Sequence, residues 1–225
     1  MPDSVRRMLV LILLFVPFLS IAHGVTNADQ ELLQHGGLWA YIQVGATHML
    51  TGYDHLLFLA GVIFYLNNFR EILIFITVFT IGHCITLVGA SYAEISADEH
   101  LVDAVIALSV IYKGFENLGG FKKLNIKSPN LLLMVGVFGL IHGFGLATRL
   151  QSFDIGEGQF LVKILLFNLG VELGQVLALI PIVLLITYLR KLNQFPALYK
   201  AINWYLVIAG VALFLYQLSG YLEFL

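Results

Sequence analysis

Residues 72–90, ILIFITVFTIGHCITLVGA, decide the fold class because they contain no Asp, Glu, Lys or Arg. An α-helix needs about 20 apolar residues to cross the ~30 Å hydrocarbon core of a bilayer. Comparable stretches recur along the 225-residue chain, which is 59% hydrophobic and only 12% charged. Soluble domains carry about 25% charged residues. The sequence therefore predicts an all-α, polytopic membrane helix bundle.

The N-terminus has the pattern of a secretory signal peptide. Arg6 and Arg7 precede the apolar run MLVLILLFVPFLSIA, which ends at Ala22. A basic start, a short apolar core and small residues before the cleavage site are typical of such peptides. We expect residues 1–22 to be removed and residues 23–37 to form a short extracytoplasmic lead. An uncleaved anchor helix is the alternative.

The rest of the chain, residues 38–225, predicts one transmembrane domain of six helices. Its apolar segments lie at residues 38–67, 70–92, 101–118, 130–149, 160–189 and 201–222. Most of the basic residues fall in alternate connections, namely Arg70, Lys122, Lys123, Lys127, Arg190, Lys191 and Lys200. Because Lys and Arg favour cytoplasmic loops, we expect both termini to be extracytoplasmic. The expected location is the inner (plasma) membrane of a bacterium.

A few polar residues interrupt these apolar helices. An Asp at the centre of a membrane helix costs about 2.5–3.5 kcal/mol, so such residues usually face a protein interior or a wet cavity. The candidate metal ligands are His48, Asp54, His55, His83, His142 and Glu172. Further residues expected to line the site or its pathway are Gly52, Thr86, Glu116, Asn117, Asn168 and Gln175. Imidazole and carboxylate together suit a divalent transition metal, with Ni, Co, Zn and Cu all open.

Spacing supports this grouping. Residues at i, i+4 and i+7 share one helix face. Two sets have this spacing, namely His48, Gly52 and His55 in the first helix and Asn168, Glu172 and Gln175 in the fifth. A single buried histidine more often donates a hydrogen bond between helices, but four in Gly- or Thr-rich stretches favour metal or proton handling. For Glu116 and Asn117, simple capping of the third helix stays open.

The polar motifs also carry a family resemblance. HMLTGYDH resembles the H-P-x-x-G-x-D-H signature of the HupE/UreJ family of membrane proteins. The ordered stretches GATHMLTGYDHLLFL, FTIGHCITL, DAVIALSVIYKGFEN, FGLIHGFGLA and LLFNLGVELGQ resemble the family's second branch over about residues 38–180. The resemblance implies a nickel or nickel/cobalt permease that accompanies hydrogenase or urease systems. The signature residues implied to matter for function are His48, Gly52, Asp54 and His55.

A weak internal repeat is also present. The second and fifth helices share the pattern F-x-[IL]-G at an offset of 88 residues, and His48 and His142 are separated by 94. With three helices per half, the second half starts on the opposite side of the membrane from the first. The two halves would then have inverted orientations in the membrane, as in many transporters.

The leading functional prediction is a metal permease or channel rather than an enzyme. An intramembrane metal-dependent hydrolase is the alternative, because three histidines could hold a zinc ion that activates water while a carboxylate serves as the acid/base. A metal-binding sensor or assembly partner is a third possibility. The expected partners are the metal ion and the lipid bilayer, with a second copy of the chain or a metalloenzyme maturation system as further candidates. No basic tract suggests nucleic acid.

Overall fold

The computed structural model describes residues 27–64, 68–151 and 158–223, and the regular secondary structure in these ranges is helical throughout. The helices are α1 (Asn27–His35), α2 (Gly37–Thr51), α3 (Tyr53–Val62), α4 (Phe69–Tyr92), α5 (Glu99–Asn117), α6 (Gly120–Lys123), α7 (Leu131–Leu150), α8 (Phe160–Leu189) and α9 (Phe195–Glu223). The predicted all-α class is confirmed. The predicted signal peptide, residues 1–22, lies outside the described residues.

Four of these helices are long and apolar enough to cross a membrane, namely α4, α7, α8 and α9. Helix α5 differs because it carries the charged residues Glu99, Asp103, Lys113 and Glu116 within 19 residues. The prediction of one continuous helix over residues 38–67 is wrong, since α2 and α3 are separate and contain 15 and 10 residues.

The interruption between α2 and α3 is centred on Gly52. The backbone there has φ −72° and ψ 98°, which turns the chain out of the helical path. The Gly52 N–H still bonds the His48 carbonyl at 2.9 Å, so α2 ends in a closed turn. A Cβ on Gly52 would lie only 2.6 Å from Nδ1 of His55. Glycine therefore leaves room for the imidazole that follows the break.

Side-chain caps fix where three helices begin. Asn68, Asp98 and Asn130 each accept a hydrogen bond from a backbone N–H three residues later, at 2.9–3.1 Å. Losing such a cap typically costs about 1 kcal/mol. The starts of α4, α5 and α7 are thus set by polar residues that lie just outside the apolar segments.

Close helix pairs build the bundle: α2 packs on α8, α4 on α7 and α5 on α9. Small residues permit this approach, as is common between membrane helices. An added Cβ on Gly45 would collide with the Phe167 carbonyl, and one on Gly139 would collide with the Phe79 carbonyl. Gly139 follows Gly45 by 94 residues, and Phe167 follows Phe79 by 88. The crossing of α2 and α8 therefore repeats in the crossing of α7 and α4.

In the third pair, α5 and α9, each helix places a glycine close to a backbone carbonyl of the other helix. A Cβ on Gly114 would lie 2.9 Å from the Asn203 carbonyl, and one on Gly210 would lie 3.3 Å from the Ala107 carbonyl. Gly210 follows Gly114, and Asn203 follows Ala107, by 96 residues in both cases. Later residues of α5 thus meet earlier residues of α9, so these two helices are antiparallel. Each half of the chain therefore makes equivalent contacts with the other half.

The apolar core extends across α2–α5 and α7–α9, and within it Phe58, Phe75, Phe79 and Phe167 are at most 2% exposed. The outer face of α8 instead carries exposed large apolar residues, namely Leu161, Leu165, Leu169, Leu173, Leu177, Ile180 and Leu184. Such a surface suits contact with lipid. Polar residues that lie within this core, such as His83 and Gln175, are fully buried.

Candidate metal centre

The break at Gly52 places Asp54 and His55 against His142 of α7. Each of these three residues offers one potential ligand atom, and these atoms all lie within 4.8 Å of one another. All three are buried, with exposures of 4%, 5% and 2%. Within the three described ranges, this is the group of His, Cys, Asp or Glu side chains close enough to hold one metal ion.

Hydrogen bonds set the orientation of both imidazoles in this group. His55 Nδ1 lies 2.9 Å from Oδ1 of Asp54, and His142 Nδ1 lies 2.7 Å from the Phe138 carbonyl oxygen. Because a carboxylate or carbonyl oxygen only accepts, each Nδ1 is the donor, and in the neutral imidazole Nε2 then keeps its lone pair. Neither Nε2 has a hydrogen-bond partner among the described residues. Metal-binding histidines are typically held in this way by an oxygen on the other ring nitrogen.

Two further histidines adjoin the group. His48 is half-buried, and its ring centroid lies 5.3 Å from that of His55. His83 is fully buried and borders Phe79, whose ring also contacts the rings of His55 at 6.3 Å and His142 at 5.2 Å. The four histidines predicted from the sequence therefore lie in one neighbourhood, with His48 nearest to the surface.

Glu172, the sixth predicted ligand, lies outside the close group. It is half-buried at the interface of α8 with α4, where the Thr77 hydroxyl donates to its Oε1 at 3.4 Å. Its role as a metal ligand stays a prediction. Gln175 on the same helix is fully buried and accepts a hydrogen bond from the Thr80 hydroxyl at 3.0 Å. These contacts tie α8 to α4 beside the metal centre.

Thr86 has a packing contact rather than a contact with the close group. Its hydroxyl donates to the Leu140 carbonyl at 2.6 Å and so joins α4 to α7. Asn168 contacts His83 through its side chain, with Oδ1 lying 2.9 Å from the imidazole Nδ1.

Glu116 and Asn117 belong to a separate buried polar network at the end of α5. Glu116 pairs with Lys113 at 2.5 Å and accepts a hydrogen bond from Ser128. Asn117 donates to the Gly61 carbonyl at 2.8 Å and to Asn203. Asn117 thus fastens α3 and α9 to α5, whereas Glu116 joins Lys113 of its own helix to Ser128 in the connection that precedes α7.

A second buried ion pair was not predicted from the sequence. Arg149, at the end of α7, donates to Asp103 of α5, which also accepts a hydrogen bond from Gln217 at 3.1 Å. Glu99 lies 3.5 Å from the Arg149 guanidinium. Asp103 within the apolar stretch DAVIALSV was the available signal, because a carboxylate there requires a partner.

The comparisons with known proteins agree with the resemblance in the polar motifs. A family model described as HupE / UreJ protein matches residues 24–223, most of the chain. The chain belongs to the HupE / UreJ family. Neither a curated protein nor a solved structure matches it. Together with four helices able to cross a bilayer, membership of the HupE / UreJ family identifies a multi-pass membrane protein.

Proposed function

We propose that this protein is a permease for a divalent transition metal, with nickel or cobalt as the leading substrates. The observation that carries the proposal is the buried group of Asp54, His55 and His142, in which Nε2 of each histidine has no hydrogen-bond partner among the described residues. Buried polar atoms without partners are rare in folded proteins, and each one requires an explanation. A metal ion explains both nitrogens at once. The chain belongs to the HupE / UreJ family, and the resemblance of its motifs to that family implies a nickel permease. Family membership therefore supports transport over catalysis.

The donor set also restricts the substrate class. Neutral imidazole binds Ni, Cu, Zn and Fe, whereas Mg and Ca prefer oxygen donors alone. The Asp54 carboxylate supplies a negative charge that balances the positive charge of the cation at this buried position. Because protons compete with the metal for the Nε2 lone pairs, metal binding should weaken as the pH falls and the imidazoles become protonated. Zinc and copper remain members of the same substrate class.

The graded burial of the histidines suggests a route for the ion. His48 is half-buried and adjoins His55, so it is placed to receive an ion that still has part of its water shell. The buried group would complete dehydration, and His83 lies next along Phe79. A series of imidazoles favours passage over a single closed catalytic site.

The proposed topology has six spans, with α2 and α3 together forming the first and α5 forming the third. If the chain alternates direction at each span, α2 and α8 are parallel, α4 and α7 are parallel, and α5 and α9 are antiparallel. The order of the contacts along each pair supports this. On α7 and α4, Gly139 contacts Phe79 and the later Gly143 contacts the later His83, as expected for parallel helices. On α5 and α9 the order of the contacts is reversed, as expected for antiparallel helices. Two inverted halves around a central site would suit alternating access.

The orientation follows from the basic connections, which favour the cytoplasmic side. Both termini would then be extracytoplasmic, after removal of residues 1–22, in the inner membrane of a bacterium. The substrate would enter from the extracytoplasmic side.

Uptake by proteoliposomes tests the proposal directly. The purified chain is reconstituted, and uptake of Ni²⁺, Co²⁺, Cu²⁺, Zn²⁺ and Mn²⁺ is measured for the wild type and for Asp54→Asn. The substitution keeps the shape and removes the charge, so we expect uptake to be abolished at unchanged membrane abundance. Asp98→Asn is the matched control, because asparagine caps a helix as well as aspartate does.

Two results would contradict the proposal. Wild-type uptake by Asp54→Asn would show that Asp54 anchors the helices rather than the ion. Metal binding without uptake by the wild type would indicate a sensor or assembly partner instead.

A further inference from the structure

The contact between Asn168 and His83 connects two helices at a buried position beside the metal centre. Asn168 is 4% exposed on α8, and His83 is fully buried on α4. The carboxamide Oδ1 lies 2.9 Å from Nδ1 of His83, and the carboxamide Nδ2 donates to the Ile164 carbonyl at 2.9 Å.

These two contacts fix the position of the proton on the imidazole. The Ile164 carbonyl only accepts, so the amide nitrogen of Asn168 must face it and the amide oxygen must face His83. An amide oxygen also only accepts, and therefore Nδ1 of His83 carries the proton. Its Nε2 keeps the lone pair, and this atom has no hydrogen-bond partner in the described part of the chain.

The two ring nitrogens of His83 thus have the same hydrogen-bonding state as those of His55 and His142. All three hold the Nδ1 proton on an oxygen acceptor, leave Nε2 unpartnered and border the ring of Phe79. The acceptor of His83 differs because it comes from another helix. We infer that Asn168 is a positioning residue that presents His83 as an additional imidazole donor for the transported metal. This inference rests on the proposed function.

The proton position can be measured without any metal. Nitrogen NMR of the full-length, metal-free protein with ¹⁵N-labelled histidine distinguishes the two tautomers, and His83→Gln identifies the signals. We expect Nδ1 to be protonated in the wild type and in Asn168→Asp, whose carboxylate still accepts. In Asn168→Leu the acceptor is lost, and the proton should move to Nε2. A wild-type His83 protonated at Nε2 would overturn the inference, whatever the two Asn168 variants show.

Nickel uptake provides the second measurement. Removing an oxygen that orients a metal-bound histidine typically weakens metal affinity by about 10–100-fold. Asn168→Leu should raise the half-saturating Ni²⁺ concentration by that factor, and Asn168→Asp should restore most of it. Asn203→Leu is the control, because it removes another fully buried amide that bonds Asn117 and the Tyr199 carbonyl but no histidine.

The outcomes separate this inference from the proposed function. Equal half-saturation for the wild type and Asn168→Leu, at normal wild-type uptake, would overturn the role of Asn168 alone. An equal loss in Asn203→Leu would do the same, since a general packing defect would then explain both. Wild-type protein that takes up none of the tested metals would instead overturn the proposed function.

Discussion

Replacing Gly52 with alanine tests whether the break in the first span sets the geometry of the metal centre. The Gly52 backbone angles lie in a region open to other residues, so alanine introduces no backbone strain. Its Cβ would lie 2.6 Å from Nδ1 of His55 and 3.2 Å from Oδ1 of Asp54. Ordinary contacts begin near 3.4 Å, so the imidazole must move by about 0.8 Å, the difference between 3.4 and 2.6 Å.

A movement of this size exceeds the roughly 0.5 Å within which a binding site must be held. It also breaks the 2.9 Å hydrogen bond that orients His55 on Asp54. Losing such a bond weakens metal affinity by about 10–100-fold, or about 1.4–2.8 kcal/mol at 1.4 kcal/mol per factor of ten. We expect Gly52→Ala to lose this much Ni²⁺ affinity while the bundle stays folded.

Isothermal titration of the purified protein with Ni²⁺ measures the affinity, and thermal unfolding in detergent measures the fold. Gly89→Ala is the matched control, because a Cβ on this glycine of α4 meets no atom within 4 Å. Wild-type Ni²⁺ affinity in Gly52→Ala would refute the reasoning. A loss of affinity that merely tracks a lower unfolding temperature would refute it as well.

Further predictions address the repeat, the second ion pair and the topology. Gly45→Val and Gly139→Val should each destabilise the bundle by about 1–3 kcal/mol, as measured by thermal unfolding, and a large difference between them would contradict the repeat. Arg149→Leu removes the ion-pair partner of Asp103 and should cost about 3–5 kcal/mol. Adding Asp103→Asn should recover part of that loss in the same assay. A C-terminal alkaline phosphatase fusion should be active, whereas activity of a cytoplasmic reporter alone would contradict six spans.

The positions of the helices could be predicted from the sequence because apolar length and polar caps determine them locally. The start predicted at residue 70 differs by one residue from the start of α4, which Asn68 caps. The burial of His55, His83 and His142 was also predictable, since an imidazole on an apolar helix must face the interior. Physical constraints that act within one helix were therefore sufficient for these features.

Features that depend on contacts between helices were not predictable in the same way. Nothing local to Gly52 shows that the helix must break there, because glycine is also common at unbroken crossings. Glu172 is displaced by about 40° from Asn168 around the helix axis at 100° per residue. That offset places it at the edge of the polar stripe, where it meets Thr77 rather than the histidines. The partner of Asp103 is equally distant in sequence, 46 residues away on Arg149.

The interruption at Gly52 has an electrostatic consequence, because two helix ends meet at the metal centre. The end of α2, which contains His48, carries a partial charge of about −0.5, and the start of α3 carries about +0.5. Asp54 lies in the first turn of α3, accepts the His55 N–H at 2.9 Å and offsets the positive end. The carbonyl end of α2 is then left to attract a cation through the peptide backbone itself. Together with the imidazoles of His55 and His142, this helix end should leave weak Ni²⁺ binding, without transport, in Asp54→Asn.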